Sequence, residues 1–201
     1  MNLPRYSFEN NQYTIEDKDI GLNHQEKWHP LTIPKDKTRG KHPSSDHYFE
    51  IFTQGPTPYA YGWIKNKNLD GEYLQVYADG KPKGRQYYKS GKLHGPSRFY
   101  TASGHVISDA WYIEGLQEGR CNWYYESQRI YSRQVYSKGQ WHGIQYFYFQ
   151  DGVLKSELTY KQGKLHGITK LFYPNGEVER YYEYEDGKLL KMETFPLLKE
   201  S

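Results

Sequence analysis

The stretch that decides the fold is residues 143–166, GIQYFYFQDGVLKSELTYKQGKLH, because its punctuation returns every 24 residues along the chain. A first column of glycines marks the start of each repeat: Gly71, Gly95, Gly119, Gly143 and Gly167. A second column keeps the same spacing: Gly91, Gly115, Gly139, Gly163 and Gly187. In-phase matches in two columns predict an array of small supersecondary units in place of one compact core.

Each repeat is predicted to be a β-hairpin. Two strand-like runs are separated by a pair such as Asp79-Gly80 or Asp151-Gly152, and successive repeats are joined by a pair such as Ser90-Gly91. Glycine permits the positive φ of tight hairpin turns, whose twist matches that of the paired strands. Hairpin therefore follows hairpin in an antiparallel meander. The third repeat has Gln128-Arg129 at the first of these turns, which predicts a turn that is either wider or strained.

The expected fold is all-β: an elongated, single-layer antiparallel meander of about six hairpin repeats with irregular ends. Five repeats span residues 71–189, and residues 47–70 form a degenerate copy. Such an atypical terminal copy closes the open end of a repeat array. The C-terminal residues 190–201 are expected to form a cap, in which an aliphatic tail folds over the last repeat.

Residues 1–46 show no 24-residue register and are expected to form an N-terminal cap. The runs 6–9 and 12–15 alternate around Asn10-Asn11, which predicts a short hairpin. Residues 28–34 contain too many prolines for a central strand. Residues 35–46 are rich in lysine, serine and proline, and they are expected to form an exposed loop.

Composition limits the classes of function. The chain has 201 residues, 22 of them tyrosine, and a mean hydropathy of -1.01, so amphipathic rings supply most of the apolar bulk. The 27 Lys and Arg residues are interspersed with 24 Asp and Glu residues, which provides no electrostatic case for nucleic acid. No secretory leader and no long apolar run are evident, so we expect a cytoplasmic protein.

Counting residues through two-residue turns divides the side chains between two faces. The first, here called the serine face, sets Phe99, Trp123 and Phe147 opposite Ser108, Ser132 and Ser156, a large-against-small arrangement that packs a thin sheet. The same count places further columns on this face: Val106, Ile130, Leu154 and Val178; Tyr77, Tyr125, Phe149 and Tyr173; and Tyr88, Tyr112, Tyr136, Tyr160 and Tyr184.

The opposite face, here called the arginine face, mixes aromatic rings with cations. Rings and arginines together are typical of interaction hot spots, so this face is the candidate partner-binding surface. An alternative is that the rings only cover the second side of the sheet, since strands favour tyrosine in any case. Asn122 and Lys155 complete this face, whose candidate binding residues are Arg85, Tyr87, Arg98, Tyr100, Trp111, Tyr124, Tyr131, Arg133, Tyr146, Tyr148, Lys170 and Phe172.

Catalytic and metal chemistry find no support in the sequence. His94, His142 and His166 share one column, but equivalent positions lie about 9 to 10 Å apart, too far for one zinc ion to bridge two repeats. These histidines are expected to hydrogen-bond locally beside the turns. Cys121 occupies a slot that other repeats fill with Tyr73, Ser97, Gln145 and Thr169, so it is expected to be a packing position. No enzyme activity, metal or other cofactor is expected.

Residues 143–167 combine the body Gly-x-x-x-x-Tyr/Phe-Tyr/Phe-x-x-Asp-Gly with the joint Gly-Lys-Leu-His-Gly. This pattern resembles the MORN-repeat superfamily and, more specifically, the variant repeats of the YwqK-type antitoxin family of bacteria. The resemblance covers residues 71–189 well, 47–70 poorly and 1–46 not at all.

The resemblance implies a non-enzymatic binding module. A bacterial antitoxin or immunity protein that neutralises a toxin encoded nearby is the first expectation, with the arginine face and the 35–46 loop as its contact surface. A scaffold that associates with acidic membrane lipids or with other proteins is the alternative. The chain is expected to be a monomer or a dimer paired through its edge strands.

Overall fold

The structure is a computed structural model that describes residues 5–9, 12–17, 22–27, 47–54 and 56–197. Every regular element in these ranges is a β-strand. The strands are β1 (Arg5–Glu9), β2 (Gln12–Asp17), β3 (Leu22–Lys27), β4 (His47–Gln54), β5 (Thr57–Lys65), β6 (Asn68–Val76), β7 (Pro82–Lys89), β8 (Lys92–Tyr100), β9 (Val106–Ile113), β10 (Leu116–Gln117), β11 (Gly119–Tyr124), β12 (Ile130–Ser137), β13 (Gln140–Trp141), β14 (Gly143–Tyr148), β15 (Leu154–Lys161), β16 (Lys164–Phe172), β17 (Val178–Glu185) and β18 (Lys188–Thr194).

The chain divides into two compact units, Met1–Leu116 and Gln117–Ser201, here called the N-terminal and C-terminal units. In the N-terminal unit, β4 to β9 each pair with the next strand in the chain, and β1, β2 and β3 form a separate sheet. In the C-terminal unit the order is β11-β12-β14-β15-β16-β17-β18, with β13 also paired to β12. The predicted antiparallel meander of hairpins is confirmed.

No helix in the described ranges is long and apolar enough to span a membrane.

The hairpin predicted near the N-terminus is present. β1 and β2 pair antiparallel, with Glu9 opposite Gln12. The sequence did not predict β3, which pairs with β2 as a third strand. The assignments for residues 28–34 and 35–46 fall outside the described residues. No observation tests the predicted domain boundaries, which stay predictions.

The connections between repeats are two-residue turns, as predicted. Ser90 and Gly91 have φ of 49° and 80°, and the flanking Lys89 and Lys92 face each other across β7 and β8. Positive φ at both central residues belongs to the hairpin turn that follows the twist of its strands. A non-glycine residue at the first position is strained. The second position is glycine in the joints of residues 71–189, whereas the degenerate copy has Lys67 there with φ of 64°.

The turns inside repeats differ from the prediction. In the first repeat Gly80 N donates to Tyr77 O at 2.9 Å, and Tyr77 N donates to Lys81 O at 2.9 Å, which closes a three-residue loop. A β-bulge follows, because Val76 lies opposite Pro82 but Gln75 lies opposite Gly84. The three-residue loop shifts the register of the two strands, and the bulge shifts it back. Beyond the bulge, each residue therefore lies opposite the same partner as it would after a two-residue turn.

The predicted pairing of rings with serines is therefore confirmed. Phe99, Trp123 and Phe147 lie opposite Ser108, Ser132 and Ser156 respectively. Phe147 also lies opposite Ser132 on its other side, and Phe99 lies opposite Gly84. A Cβ atom built on Gly84 would lie 2.8 Å from the Phe99 ring, so the small residues create the space that the rings fill.

The same bulges overturn part of the face assignment. Tyr100, Tyr124, Tyr148 and Phe172 pair directly with Val106, Ile130, Leu154 and Val178. Residues directly opposite each other share a face of a sheet. The aliphatic column therefore lies on the arginine face, and its placement on the serine face was wrong. Counting through a two-residue turn misses this because it omits the bulge.

The C-terminal tail was also assigned wrongly. In place of folding over the last repeat, residues 188–194 form β18, which pairs with β17 and extends the sheet by one strand. All seven of its residues are exposed. Apolar side chains in this segment are therefore presented to solvent.

Candidate binding face

The arginine face of the N-terminal unit is largely a core. Phe49, Tyr61, Trp63 and Val76 form a buried cluster with Leu74 packed against it. Leu74 lies opposite Arg85, so the cluster and the candidate arginine share one face. Of the candidates here, Tyr87 is 9% exposed and Trp111 is 1% exposed. These two rings present almost no surface to a partner and stabilise the sheet.

The cations of the N-terminal unit lie beside acids. Arg85 Nε lies 3.0 Å from Glu72 Oε1. Burial raises the pKa of the Glu72 carboxyl, and the Arg85 guanidinium lowers it less. Arg98 lies opposite both Arg85 and Asp109. Arg85 and Arg98 are exposed and Tyr100 is half-buried, so these three candidates form the accessible part of the face in this unit.

In the C-terminal unit the candidates form an ordered row. Asn122 lies opposite Arg133, Arg133 opposite Tyr146, Tyr146 opposite Glu157, and Glu157 opposite Lys170. The row crosses β11, β12, β14, β15 and β16 in sequence. From Arg133 onward the row contains a cation, a ring, an anion and a second cation. It therefore offers a partner hydrogen-bond donors and acceptors and charges of both signs.

The Arg133 side chain lies over a ring of the next repeat. Its guanidinium carbon is 5.9 Å from the centre of the Tyr148 ring, within the range of a cation–π interaction. Tyr146 lies beside it in the row, and burial is the largest cause that raises the pKa of its phenol, followed by the nearby Glu157. Tyr146 is therefore a neutral donor and acceptor at physiological pH.

A second row of this face is apolar. Tyr124 with Ile130, Tyr148 with Leu154, and Phe172 with Val178 are cross-strand pairs, and all six residues are half-buried. Each ring is covered on one side by its aliphatic partner. The rings keep part of their surface available, and they also contribute to the stability of the sheet.

Two apolar residues of this face were missed by the sequence prediction. Ile144 and Ile168 are 40% and 45% exposed, and they occupy equivalent positions of successive repeats. Both precede candidates by two residues, Tyr146 and Lys170, so they point to the same face. The alternation that places them on this face is visible in the sequence, but isoleucine is neither a ring nor a cation and was not among the predicted residue types.

Tyr131 lies on the serine face, so its assignment to the arginine face was wrong. Its ring centre is 5.3 Å from that of Tyr125 and 6.0 Å from that of Phe147, the residue that faces the serines. Tyr131 is the extra residue of the bulge between β11 and β12, where the alternation of side chains is interrupted. Lys155 occupies the same place in the next repeat, and its Nζ lies 5.6 Å from the Phe149 ring.

His94 and His166 have the local role that was predicted for the histidine column. Nδ1 of His94 accepts a hydrogen bond from Glu114 N at 3.2 Å, and Nδ1 of His166 accepts one from Asp186 N at 3.4 Å. Asp70 and Glu118 serve the same purpose at Ser90 N and Lys138 N. The donor is in each case the strained first residue of the joint turn. Within the described part of the chain, no group of three or more His, Cys, Asp or Glu side chains could hold a metal ion.

The slot of Cys121 is a packing position, as predicted. Its equivalents Ser97, Gln145 and Thr169 are buried, and so is Cys121 itself. Cys121 is therefore a small buried side chain in this fold.

The strand order, the joint turns and the 24-residue columns define an array of antiparallel β-hairpin repeats. Residues 69–90, 141–162 and 165–186 match the MORN repeat variant family. A comparison with curated proteins found no match. The matched repeats indicate a module that binds protein or lipid.

Proposed function

We propose that the protein is a non-enzymatic, cytoplasmic protein-binding module that acts as a bacterial antitoxin or immunity protein and neutralises a toxin encoded nearby. The observation that supports it is the surface of the C-terminal unit. There the charged row of Arg133, Tyr146 and Lys170 lies between half-buried rings and the exposed Ile144 and Ile168. The antitoxin role itself comes from the resemblance of the repeats to the YwqK-type family.

This surface suits a protein better than an anionic membrane. Lys170 lies opposite Glu157, Arg98 lies opposite Asp109, and Arg85 contacts Glu72. A lipid surface rewards clustered cations by about 1 kcal/mol each, but the carboxylates beside these three cations oppose that attraction. A folded partner can offer complementary charges of both signs together with apolar groups, which matches this face.

The proposal is tested by co-expression with the product of the adjacent open reading frame. We expect the two proteins to co-purify and the chain to relieve any growth defect that its neighbour causes. The double substitution Ile144→Lys with Ile168→Lys should weaken binding about tenfold or more, because two exposed apolar contacts become charged. Both side chains are exposed, so the variant should fold.

A second variant and a control locate the contact. Tyr124→Ala with Tyr148→Ala removes two rings of the same face and should also weaken binding. Tyr131→Ala removes a ring with 41% exposure on the serine face and should leave binding unchanged. Unchanged co-purification for both arginine-face variants would show that this face does not bind the neighbour, and equal loss for Tyr131→Ala would move the contact to the serine face.

Lipid association is the alternative function, since the matched repeats are also consistent with it. Flotation with vesicles of phosphatidylserine and phosphatidylcholine tests it directly. The acids beside the cations predict that the chain stays with the soluble fraction at physiological salt. Salt-sensitive flotation, abolished by Arg85→Glu with Arg98→Glu, would support the lipid scaffold in place of the antitoxin.

A further inference from the structure

β18 and the three residues that follow it form the most apolar exposed segment of the described chain. Leu189, Leu190, Met192, Phe195 and Leu197 are all exposed, and Met192 reaches 59%. Among the described strands, β18 pairs with β17 only. Edge strands of soluble proteins commonly avoid this combination, because an apolar edge with unpaired backbone groups is a template for another strand.

The backbone direction of β18 determines which of its residues are available. Phe195 N donates to Glu179 O at 2.8 Å, so Phe195 directs its backbone groups toward β17. Antiparallel pairs alternate between hydrogen-bonded and non-hydrogen-bonded positions. Glu193 therefore also directs its N–H and C=O toward β17, whereas Met192 and Thr194 direct theirs outward.

Two copies of β18 can form backbone hydrogen bonds about a two-fold axis only if the residues whose N–H and C=O groups point away from β17 lie opposite each other. An axis through Met192 brings Met192 opposite Met192 of the second copy, and Thr194 opposite Leu190, which is the extra residue of a bulge in β18. Lys191 then lies opposite Glu193 of the second copy, and Glu193 lies opposite Lys191 of the second copy. Axes through Leu190 or Thr194 lack this pairing of opposite charges.

Lys191 and Glu193 are already placed for this arrangement. Within one chain Lys191 Nζ lies 2.6 Å from Glu193 Oε1, and the two side chains point to the same face. Directly opposite charges stabilise antiparallel strands, and like charges destabilise them. Two copies would form a square of four alternating charges on one face, with the two methionines in contact on the other.

We propose that β18 is a homodimerisation edge, at which two copies of this chain pair antiparallel about an axis at Met192. The contact uses the same segment of both chains, so it closes on itself and leaves no site for a third copy at that edge. The edge lies on β18, two strands from Ile168 on β16 in the same sheet.

Sedimentation velocity of the full chain over a concentration series tests the proposal. We expect a reversible dimer that dissociates on dilution. Glu193→Lys places a lysine opposite a lysine in both cross-strand pairs between the copies, and it should weaken the dimer roughly tenfold or more. The double swap Lys191→Glu with Glu193→Lys restores opposite charges in the same register and should restore the dimer.

Met192→Pro is the matched backbone variant. It removes an outward N–H that β17 does not use, and proline is tolerated on edge strands whose N–H faces solvent. We expect a folded monomer by circular dichroism and sedimentation. A wild-type chain that stays monomeric at every concentration, a Glu193→Lys dimer of unchanged strength, or a charge swap without rescue each overturns the proposal.

Discussion

The side-chain amide of Gln145 occupies the place of a peptide group opposite Val135. Its Oε1 accepts a hydrogen bond from Val135 N at 2.8 Å, and its Nε2 donates to Val135 O at 3.1 Å. Gln145 is fully buried. The register of β12 shifts by two residues between its pairing with β14 and its pairing with β13, and Val135 lies at this shift. Val135 O also accepts a hydrogen bond from His142 N at 2.9 Å, whereas the glutamine is the partner of Val135 N.

Gln145→Ala should lower the free energy of unfolding by about 2 to 3 kcal/mol, because the half-buried Val135 N loses its partner and a cavity forms at a fully buried side chain. Urea denaturation followed by tryptophan fluorescence measures the change. Gln140→Ala, on an exposed position of β13, serves as the control and should stay within about 0.5 kcal/mol of wild type. Equal effects of the two substitutions would contradict the role assigned to Gln145.

The turn of the third repeat should become more stable with glycine. Gln128 has φ of 65° and makes the same turn hydrogen bond to Tyr125 O that Gly152 makes to Phe149 O, so the turn is strained and not wider. Gln128→Gly should stabilise by about 1 kcal/mol, since the left-handed conformation costs non-glycine residues about that much. Gly152→Gln, where no atom crowds the new Cβ, should destabilise by a similar amount. A melting temperature unchanged in both variants would contradict this.

Crowding between the rings and the small residues is expected at Gly84. Gly84→Ala should destabilise by about 1 to 2 kcal/mol, because the new methyl group meets the Phe99 ring at 2.8 Å. The double variant with Phe99→Leu should recover part of the loss if steric overlap is the cause. Additive losses in the double-mutant cycle would exclude it.

Stability should fall at alkaline pH. Burial is the main cause that raises the pKa of Tyr73, Tyr88, Tyr136, Tyr146 and Tyr160 above the ordinary value of 10.0. The folded state therefore favours the neutral phenols. Their contribution to stability is complete below pH 10 and is lost as pH rises through the raised values.

Urea denaturation at pH 8 and at pH 11 measures this loss, and absorbance of the phenolates follows the titration. Tyr146→Phe should reduce the difference in unfolding free energy between the two pH values. Tyr48→Phe, at an exposed residue, is the matched control and should leave it unchanged. An unfolding free energy independent of pH across this interval would contradict the prediction.

The candidate site was predicted less completely than the fold. Rings and cations were found from their columns, and Arg133, Tyr146 and Lys170 lie in one row as that pattern indicates. Tyr87 and Trp111 are buried, which no count along one repeat could show, because burial depends on side chains from neighbouring strands. Ile144 and Ile168 were missed because exposed aliphatic residues carry no compositional signal of binding.

The sequence by itself determined the period, the antiparallel order and the pairing of rings with serines, because glycines at regular intervals permit turns that few other residues allow. Only the tertiary structure decided the sides of Tyr131 and of the Ile130 column, and the extension of the sheet by β18. The physical reason is that a two-residue turn and a three-residue turn followed by a bulge produce the same register. Only the three-residue turn with its bulge has an extra residue, which changes the face to which the side chains next to the turn point. Which of the two turns forms depends on backbone geometry and on contacts between repeats.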